Sequence, residues 1–265
     1  MQSRPSGVEL LEALESGEVR AAEPGPEGWV VNAWVKEGIL DIFRTSEVVP
    51  HGLELAPGAG ESGDLAFRDK EPFLVRRFTD EDDIRLVPGG SAIRRGTYIG
   101  PGVVCMPPMY INVGAFVGAG SMIDSHALVG TCAQVGERVH VSAAAQLGGV
   151  MEPVGGRPVI IEDGAFIGGN CGVYGGVLVG CGAVLAAGVV LTGGSVVHDL
   201  VHGCELGGRP GQPLEIPENA VVIPGSRALE GEYATSKGLS AACALIVKYR
   251  DASTDAATAL EDAVR

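Results

Sequence analysis

Basic residues are scarce in this sequence, and the shortage limits what the protein can bind. Its 265 residues include 19 Lys and Arg against 33 Asp and Glu, so the formal net charge is −14 at pH 7. Nucleic-acid binding favours a basic face, so this balance argues against a DNA or RNA partner. An anionic substrate would gain no long-range attraction, and locally placed Arg or Lys side chains would have to hold it.

Long apolar runs and paired cysteines are absent too. No stretch approaches eighteen uninterrupted apolar residues, and the N-terminus lacks a basic segment followed by an apolar one, so no membrane span or secretory signal is predicted. None of the six cysteines forms a C-x-x-C pair, which argues against a zinc site. The sequence therefore predicts a cytoplasmic protein in a reducing compartment, with no metal, no membrane and no nucleic-acid partner.

Aliphatic residues recur at every sixth position through the middle of the chain. A period of six fits neither the helical repeat of about 3.6 residues nor the strand repeat of about 2. It is typical of a solenoid in which each hexad forms one short strand and a turn. The members of the two runs are Ile99, Cys105, Ile111, Val117, Ile123, Val129, Val135, Val141 and Leu147, then Ile161, Ile167, Val173, Val179, Leu185, Leu191 and Val197.

The other hexad positions suit a narrow coil with tight corners. The residue after each aliphatic is small or polar, as in Gly100, Asp124 and Gly136, and glycine reaches 41 residues in the chain. Glycine supplies the positive backbone angles that corners need, and the low aromatic content of 5% fits a thin coil. The pattern resembles the hexapeptide-repeat family, whose fold is a left-handed parallel β-helix and whose commonest activity is acyl transfer.

The chain divides into three parts by pattern. Residues 1–95 predict an N-terminal α-helical domain, residues 96–198 the β-helix, and residues 199–265 a small C-terminal β/α segment, so the fold class is mainly β. The finer expectations are a helix from Val8 to Leu14 ended by Gly17, a helix around 34–43, a loop at 50–64, an insertion at 151–159, strands near 220–224 and 242–248, and a helix from Thr254.

Several strings resemble one subfamily, the tetrahydrodipicolinate N-succinyltransferases. The N-terminal strings favour this subfamily over an N-acetyltransferase of the same pathway, with which the coil motifs alone would be shared. The strings are 28–36 (GWVVNAWVK), 85–88 (RLVP), 112–117 (NVGAFV), 122–124 (MID), 129–136 (VGTCAQVG) with His140, 148–153 (GGVMEP), 158–163 (PVIIED), 166–168 (FIG) and 243–248 (CALIVK).

The resemblance implies a reaction and a set of roles. In that family a succinyl group passes from succinyl-CoA to the amine of opened tetrahydrodipicolinate (2-amino-6-oxopimelate), on the route to diaminopimelate and lysine. The family is trimeric, with active sites in the clefts between neighbouring coils. By resemblance, Arg85 binds a substrate carboxylate and Asp124 contacts or deprotonates the amine. Thioester aminolysis needs such a proton acceptor, and Arg grips carboxylates with two parallel hydrogen bonds.

One departure from the family concerns its charged residues in a later turn of the coil. Two family Glu positions are Gly172 and Gly175 here, and a family Arg position is Asn170. Glycine cannot accept a proton, so His126, His140 or Asp124 would act as the catalytic base. Tyr174 is a further hydrogen-bond donor nearby. From the sequence, Gly172→Glu is expected to raise activity on the analogue 2-aminopimelate.

CoA binding leaves a weaker trace in the sequence. The resemblance implies that the pantetheine arm lies along the coil against backbone amides, so small residues such as Ala187 and Gly188 are expected to line its path. Arg227, Lys237 and Lys248 are candidates to meet the CoA phosphates. No permanently bound cofactor is predicted, and succinyl-CoA or acetyl-CoA would be the co-substrate.

Two alternatives to this interpretation stay open. The same catalyst could use acetyl-CoA or another amino-acid-like acceptor, as Gly172, Gly175 and Asn170 suggest. The coil could also be a non-catalytic scaffold or ligand-binding homologue, although Arg85, Asp124 and the 148–153 string argue against that. A γ-class carbonic anhydrase is disfavoured, because His126 and His140 lack the neighbouring His pair that its metal site needs.

Overall fold

The N-terminal segment folds into two helices and two small hairpins. A computed structural model describes residues 4–51, 67–207 and 211–251. The N-terminal elements are α1 (Gly7–Ser16), β1 (Ala22–Gly25), β2 (Gly28–Val31), α2 (Ala33–Thr45), β3 (Val48–His51) and β4 (Phe67–Lys70). Both predicted helices are confirmed. α1 ends at Gly17, whose φ of 78° is the left-handed conformation that favours glycine.

The middle of the chain is a coil of strands that are two residues long. Each strand pairs in parallel with the strands three positions before and after it in the chain, as β10 does with β7 and β13. In order they are β5 (Arg85–Leu86), β6 (Ala92–Ile93), β7 (Tyr98–Ile99), β8 (Val104–Cys105), β9 (Tyr110–Ile111), β10 (Phe116–Val117), β11 (Met122–Ile123), β12 (Leu128–Val129), β13 (Gln134–Val135), β14 (His140–Val141), β15 (Gln146–Leu147), β16 (Ile160–Ile161), β17 (Phe166–Ile167), β18 (Gly172–Val173), β19 (Leu178–Val179), β20 (Val184–Leu185) and β21 (Val190–Leu191).

The remaining elements close the coil. They are β22 (Val196–Asp199), β23 (Cys204–Gly207), β24 (Glu215–Ile216), β25 (Ala220–Ala228), α3 (Glu232–Lys237) and β26 (Ser240–Tyr249). The predicted strand pair near the C-terminus is confirmed, because β25 and β26 pair antiparallel. The helix expected from Thr254 lies outside the described residues.

The strands stack into three sheets, which form the sides of a prism. Sheet A contains β5, β8, β11, β14, β17, β20 and β25, sheet B contains β6, β9, β12, β15, β18 and β21, and sheet C contains β7, β10, β13, β16, β19 and β24. The chain visits the sheets in the order A, B, C, so each turn of the coil has an A–B, a B–C and a C–A corner. The predicted parallel β-helix is confirmed.

The repeating aliphatic residues fill the inside of this prism. Ile99, Ile123, Val141 and Leu185, for example, belong to one continuous core and are almost fully buried. Each fully buried aliphatic side chain contributes about 1.5–3 kcal/mol relative to exposure. From β6 to β21 the second residue of each strand points inward, so a six-residue period places one apolar side chain in the core per strand, and the sequence alone predicts this.

The coil is longer than the predicted 96–198, and its upper part is arranged differently. β5 and β6 already belong to sheets A and B before residue 96, and Ile93 is in phase with the repeat. After β21 the chain leaves the coil for residues 192–214 and returns as β24 beside β19. The prediction that Val197 continues the repeat is therefore wrong. Val197 is buried, but it lies in β22, which pairs with β26.

The two N-terminal helices pack against the B–C corners of the coil. Leu10, Leu11 and Ile39 form one cluster with Val113 and Cys132 of the coil. The predicted loop at 50–64 begins inside β3, and the rest of it lies outside the described residues.

One lysine joins α2 to the insertion that follows β15. Lys36 is fully buried, and its Nζ donates a hydrogen bond to the carbonyl of Gly156. Burial lowers the pKa of this amine. Lys36 therefore links α2 to the 151–159 insertion through this buried hydrogen bond.

Candidate active site

The A–B corner after β11 carries two of the predicted catalytic residues. Asp124 is half-buried, and its Oδ1 accepts a hydrogen bond of 2.7 Å from the backbone N–H of Ser125. His126 is exposed and has a φ of 62°, the left-handed conformation that turns the chain at this corner. The backbone N–H of His126 donates to the carbonyl of Pro108 one turn below. The imidazole is therefore presented outward from a fixed backbone.

His140 lies one turn above this corner, on the outer face of sheet A. It is directly paired with Met122, and its ring centroid is 5.0 Å from that of Phe166 in the next turn. The diagonal spacing in a sheet puts its Cα about 8 Å from that of Asp124. Neither ring nitrogen of His140 has a hydrogen-bond partner in the described part of the chain. Asp124, His126 and His140 thus share one patch of the surface.

Arg85 lies at the lower end of the same sheet. It is exposed, begins β5, and pairs with Val104 directly below Met122. Two strand spacings, about 10 Å, separate its backbone from the level of Asp124. Arg85 also lines a shallow cavity of about 350 Å³ with Asp80 and Asp83. Within one chain, therefore, Arg85 is on the same face as the other three residues but not in contact with them.

Small residues continue up the A–B corner from this patch. Above Asp124 and His126 the corner is built by residues 142–145, then 168–171, then 186–189. The backbone approaches are close, since a Cβ added to Gly168 would lie 2.6 Å from the backbone nitrogen of Ala187. Ala187 and Gly188, both exposed, end this strip about 14 Å above Asp124, three strand spacings away.

The strip opens into a cavity of about 550 Å³ at the end of the coil. Gly188, Ser195, His198, Glu205 and Arg227 are among its lining residues. The structure thus places Gly188 and Arg227, two of the residues expected from the sequence to contact CoA, on the wall of one cavity. Lys248 lies on β26, where it pairs with Val221 of β25. It is four residues, or about 13 Å along the strand, from Ala244, which lines the cavity. Lys237 lies in α3 and is not part of that wall.

His198 and Glu205 were not predicted from the sequence. The two residues face each other across the β22–β23 pair, with 3.3 Å between Nδ1 of His198 and Oε1 of Glu205. Nε2 of His198 is buried and has no hydrogen-bond partner among the described residues. Only the return of β23 along β22 brings this pair to the cavity, and no motif marks that return.

The positions of the missing family carboxylates have distinct backbone conformations. Gly175 has a φ of 63°, and a Cβ there would lie 2.9 Å from the backbone nitrogen of Gly193, so a glutamate would be strained. Gly172 has no such backbone requirement. A Cβ on Gly172 would instead lie 2.5 Å from Cε2 of Tyr174. The ring of Tyr174 occupies the space next to Gly172.

Cys171, at the A–B corner, is a buried free cysteine. Burial raises the pKa of the Cys171 thiol to about 11, and its Sγ lies 3.0 Å from the carbonyl oxygen of Ala186.

A group of potential metal ligands lies at a C–A corner. Within residues 4–51, 67–207 and 211–251, ligand atoms of Glu162, Cys181 and Glu218 lie within 4.8 Å of one another at that corner. Both carboxylate oxygens of Glu162 already accept hydrogen bonds, from Trp29 and the backbone of Cys181.

Comparison with known proteins agrees with the coil. Residues 158–193 match the family described as "Hexapeptide repeat of succinyl-transferase", which places the chain among the hexapeptide-repeat acyltransferases. Residues 7–45 match "Tetrahydrodipicolinate N-succinyltransferase N-terminal". Relatives that bear this family's name are 38–41% identical to the chain over at least 97% of its length, so the chain belongs to the tetrahydrodipicolinate N-succinyltransferase family, a family of acyltransferase enzymes.

Relatives from several bacteria match nearly the whole length of the chain. The 2,3,4,5-tetrahydropyridine-2,6-dicarboxylate N-succinyltransferase of Bradyrhizobium diazoefficiens is 41% identical over 97% of this chain and 88% of its own length. That of Methylorubrum extorquens is 38% identical over 97% and 88%. That of Acinetobacter baylyi is 38% identical over 99% and 89%. No helix in the described residues is long and apolar enough to cross a membrane.

Proposed function

We propose that this protein transfers the succinyl group of succinyl-CoA to the amine of tetrahydrodipicolinate, in its opened form 2-amino-6-oxopimelate. The observation that carries the proposal is the continuous A–B corner. This corner joins Asp124, His126 and His140 at one end to Gly188 and the Arg227 cavity at the other. An acyl-CoA lying along it has its thioester at the polar end and its phosphates near a cationic side chain. Family membership supplies the substrate pair.

The residues supply the proton transfers of thioester aminolysis. The amine nitrogen attacks the thioester carbonyl carbon and forms the new C–N bond, while the Asp124 carboxylate takes a proton from that nitrogen. His140 is within reach of the same proton, since its ring nitrogens are available and it shares the patch. Collapse of the tetrahedral intermediate breaks the C–S bond, and the proton passes to the sulfur to give free CoA. Backbone N–H groups at the corner are the donors to the oxyanion.

A homotrimer would complete the site. Within one chain Arg85 is about 10 Å below the level of Asp124, so a carboxylate held by Arg85 fits best if a neighbouring copy closes the groove. Sheet B also leaves apolar side chains on its outer face, with Tyr110 36% and Val190 59% exposed. All six cysteines are free, which fits an enzyme of the reducing cytoplasm.

The test is a CoA-release assay on the purified protein. Succinyl-CoA and acetyl-CoA are each offered with a panel of amino dicarboxylates that includes 2-aminopimelate. The proposal expects release that depends on succinyl-CoA and on an amine carrying two carboxylates. Faster release with acetyl-CoA, or with another acceptor, would favour the alternative catalyst that the changed charge around Gly172 suggests. Absence of release with every pair would leave a scaffold or ligand-binding role.

A further inference from the structure

Two glycines on sheet B form a seat for one aromatic ring. A Cβ on Gly172 would lie 2.5 Å from Cε2 of Tyr174 and 3.1 Å from its Cζ and hydroxyl oxygen. A Cβ on Gly148, one turn below, would lie 2.6 Å from Cδ1 of the same ring. Neither glycine has a positive φ, so the backbone does not require glycine at either position. Glycine is required at both positions because the ring of Tyr174 leaves no room for a side chain.

The ring is oriented so that its hydroxyl points back toward the A–B corner. Gly148 meets the base of the ring, and Gly172, which starts its strand, meets the tip. Asn170 and the small-residue strip of the corner come just before Gly172 in the chain. Tyr174 is 37% exposed, and its hydroxyl makes no hydrogen bond within the described residues. A polar group is therefore held at a fixed place beside the groove and remains available to a ligand.

We propose that Tyr174 is a specificity-determining residue, whose hydroxyl donates a hydrogen bond to a carboxylate of the acceptor amine. The inference rests on the proposed function and adds a named contact to it. A phenol hydroxyl is a neutral donor, so it attracts an anionic oxygen where a carboxylate side chain would repel it. Its strand, β18, belongs to sheet B and lies two turns of the coil, about 10 Å along the coil axis, above the level of Asp124, which follows β11 of sheet A. A dicarboxylate of about seven carbons, with a hydrogen bond at each end, is long enough to cover that rise.

The first experiment removes only the hydroxyl. Tyr174→Phe keeps the ring in its seat, so the melting temperature and the KM for succinyl-CoA should stay as in the wild type. The KM for 2-aminopimelate should rise about tenfold, because a hydrogen bond to a charged group is lost. Tyr233→Phe is the matched control, since Tyr233 lies in α3 and is 72% exposed. A KM for 2-aminopimelate within twofold of the wild type would overturn the inference.

The second experiment tests the seat. Gly172→Ala puts a methyl carbon 2.5 Å from Cε2 of Tyr174, too close for the ring to stay, and so displaces the ring. Its effect on the KM for 2-aminopimelate should match that of Tyr174→Phe. The double variant should be no worse than either single variant by more than twofold, because both changes remove the same contact. Effects that multiply would show that Gly172 acts in another way and would contradict the proposal.

Calorimetry separates this inference from the proposed function. 2-Aminopimelate is titrated into wild-type and Tyr174→Phe protein in the presence of CoA. About tenfold weaker binding to the variant supports the role of the hydroxyl, even if turnover with succinyl-CoA is absent. Equal binding overturns that role, even if the wild type proves to be an efficient succinyltransferase.

Discussion

Asp124 is the residue on which the proposed proton transfer depends most directly. Asp124→Asn keeps the size of the side chain and an acceptor oxygen but cannot take a proton from the attacking amine. We expect kcat to fall by about 10²–10⁴ with little change in acyl-CoA binding. Initial rates with succinyl-CoA, together with calorimetric binding of CoA, would measure both effects.

The control for that variant is Asp41→Asn, on the exposed face of α2 and outside the groove. It should leave kcat unchanged. Turnover near the wild-type level in Asp124→Asn would contradict the role of this carboxylate. The proton acceptor would then be His126 or His140, which share its patch, and each should be replaced by Gln in turn.

Gly172 shows how a single side chain changes the expected outcome of a substitution. From the sequence, Gly172→Glu is expected to raise activity on 2-aminopimelate. In the structure the first carbon of that glutamate side chain meets the ring of Tyr174 at 2.5 Å. The glutamate can enter only if the ring leaves its seat, so the single substitution also removes the hydroxyl from the groove.

Asp199 makes the stability of the C-terminal hairpin depend on pH. Burial favours a higher pKa for this carboxyl, but hydrogen bonds from the Tyr249 hydroxyl, the His202 ring and two backbone N–H groups outweigh it and lower the pKa to about 2. A folded pKa below the unfolded value stabilises the fold above about pH 4. That contribution is lost as the pH falls from about 4 through 2.

Tyr249→Phe removes the shortest of these hydrogen bonds, which is 2.6 Å long. We expect the free energy of unfolding at pH 7 to fall by about 1–3 kcal/mol, because a buried carboxylate loses a partner. The loss should shrink as the pH falls from about 4 through 2, because the carboxyl takes up its proton first in the unfolded chains and only at the lowest pH in the folded wild type. Urea unfolding at pH 7 and at pH 2.5 measures this, and an equal difference at the two pH values would rule the explanation out.

At the scale of the elements, the corner at Gly130 has no room for a side chain, because the next turn lies directly against it. A Cβ on Gly130 would lie 2.2 Å from the backbone nitrogen of Gly149 and 2.6 Å from the carbonyl carbon of Gly148. Backbone atoms of a paired turn cannot move aside. Gly130→Ala should therefore lower the free energy of unfolding by about 3 kcal/mol or more.

The control for the corner is Gly155→Ala in the insertion after β15. Nothing lies within 4 Å of the added methyl group, and the φ of Gly155 is not positive. This variant should unfold within about 0.5 kcal/mol of the wild type. Urea melts of the two variants form the comparison, and equal stability would mean that the coil can open at that corner.

At the scale of the whole molecule, we expect a trimer in which the outer faces of neighbouring coils pack against one another. Sedimentation equilibrium should give three times the chain mass of 27.1 kDa. Leu128 lies in the middle of the outer row of sheet B, so Leu128→Arg should dissociate the assembly and abolish turnover. Val8→Arg, on the exposed side of α1, should change neither. A wild-type monomer at micromolar concentration would contradict the shared active site.

Much of the fold was determined by the sequence itself. One aliphatic residue per hexad must point into the prism, so the period from Ile99 to Leu191 defines the coil, its register and the outward position of Asp124 and His140. Gly17 ends α1 because only a local backbone angle is involved. Such features depend on residues close in the chain, and they can be predicted without tertiary information.

The tertiary structure decided what depends on contacts between distant turns. Val197 keeps the hexad phase yet leaves the coil, because β24 supplies the strand that pairs with β19 after residues 192–214. Two glycines one turn apart hold Tyr174 over the strand, and β23 brings Glu205 to His198. No local sequence pattern encodes these contacts. Each one joins residues of different turns, and only the folded coil shows which turns are neighbours.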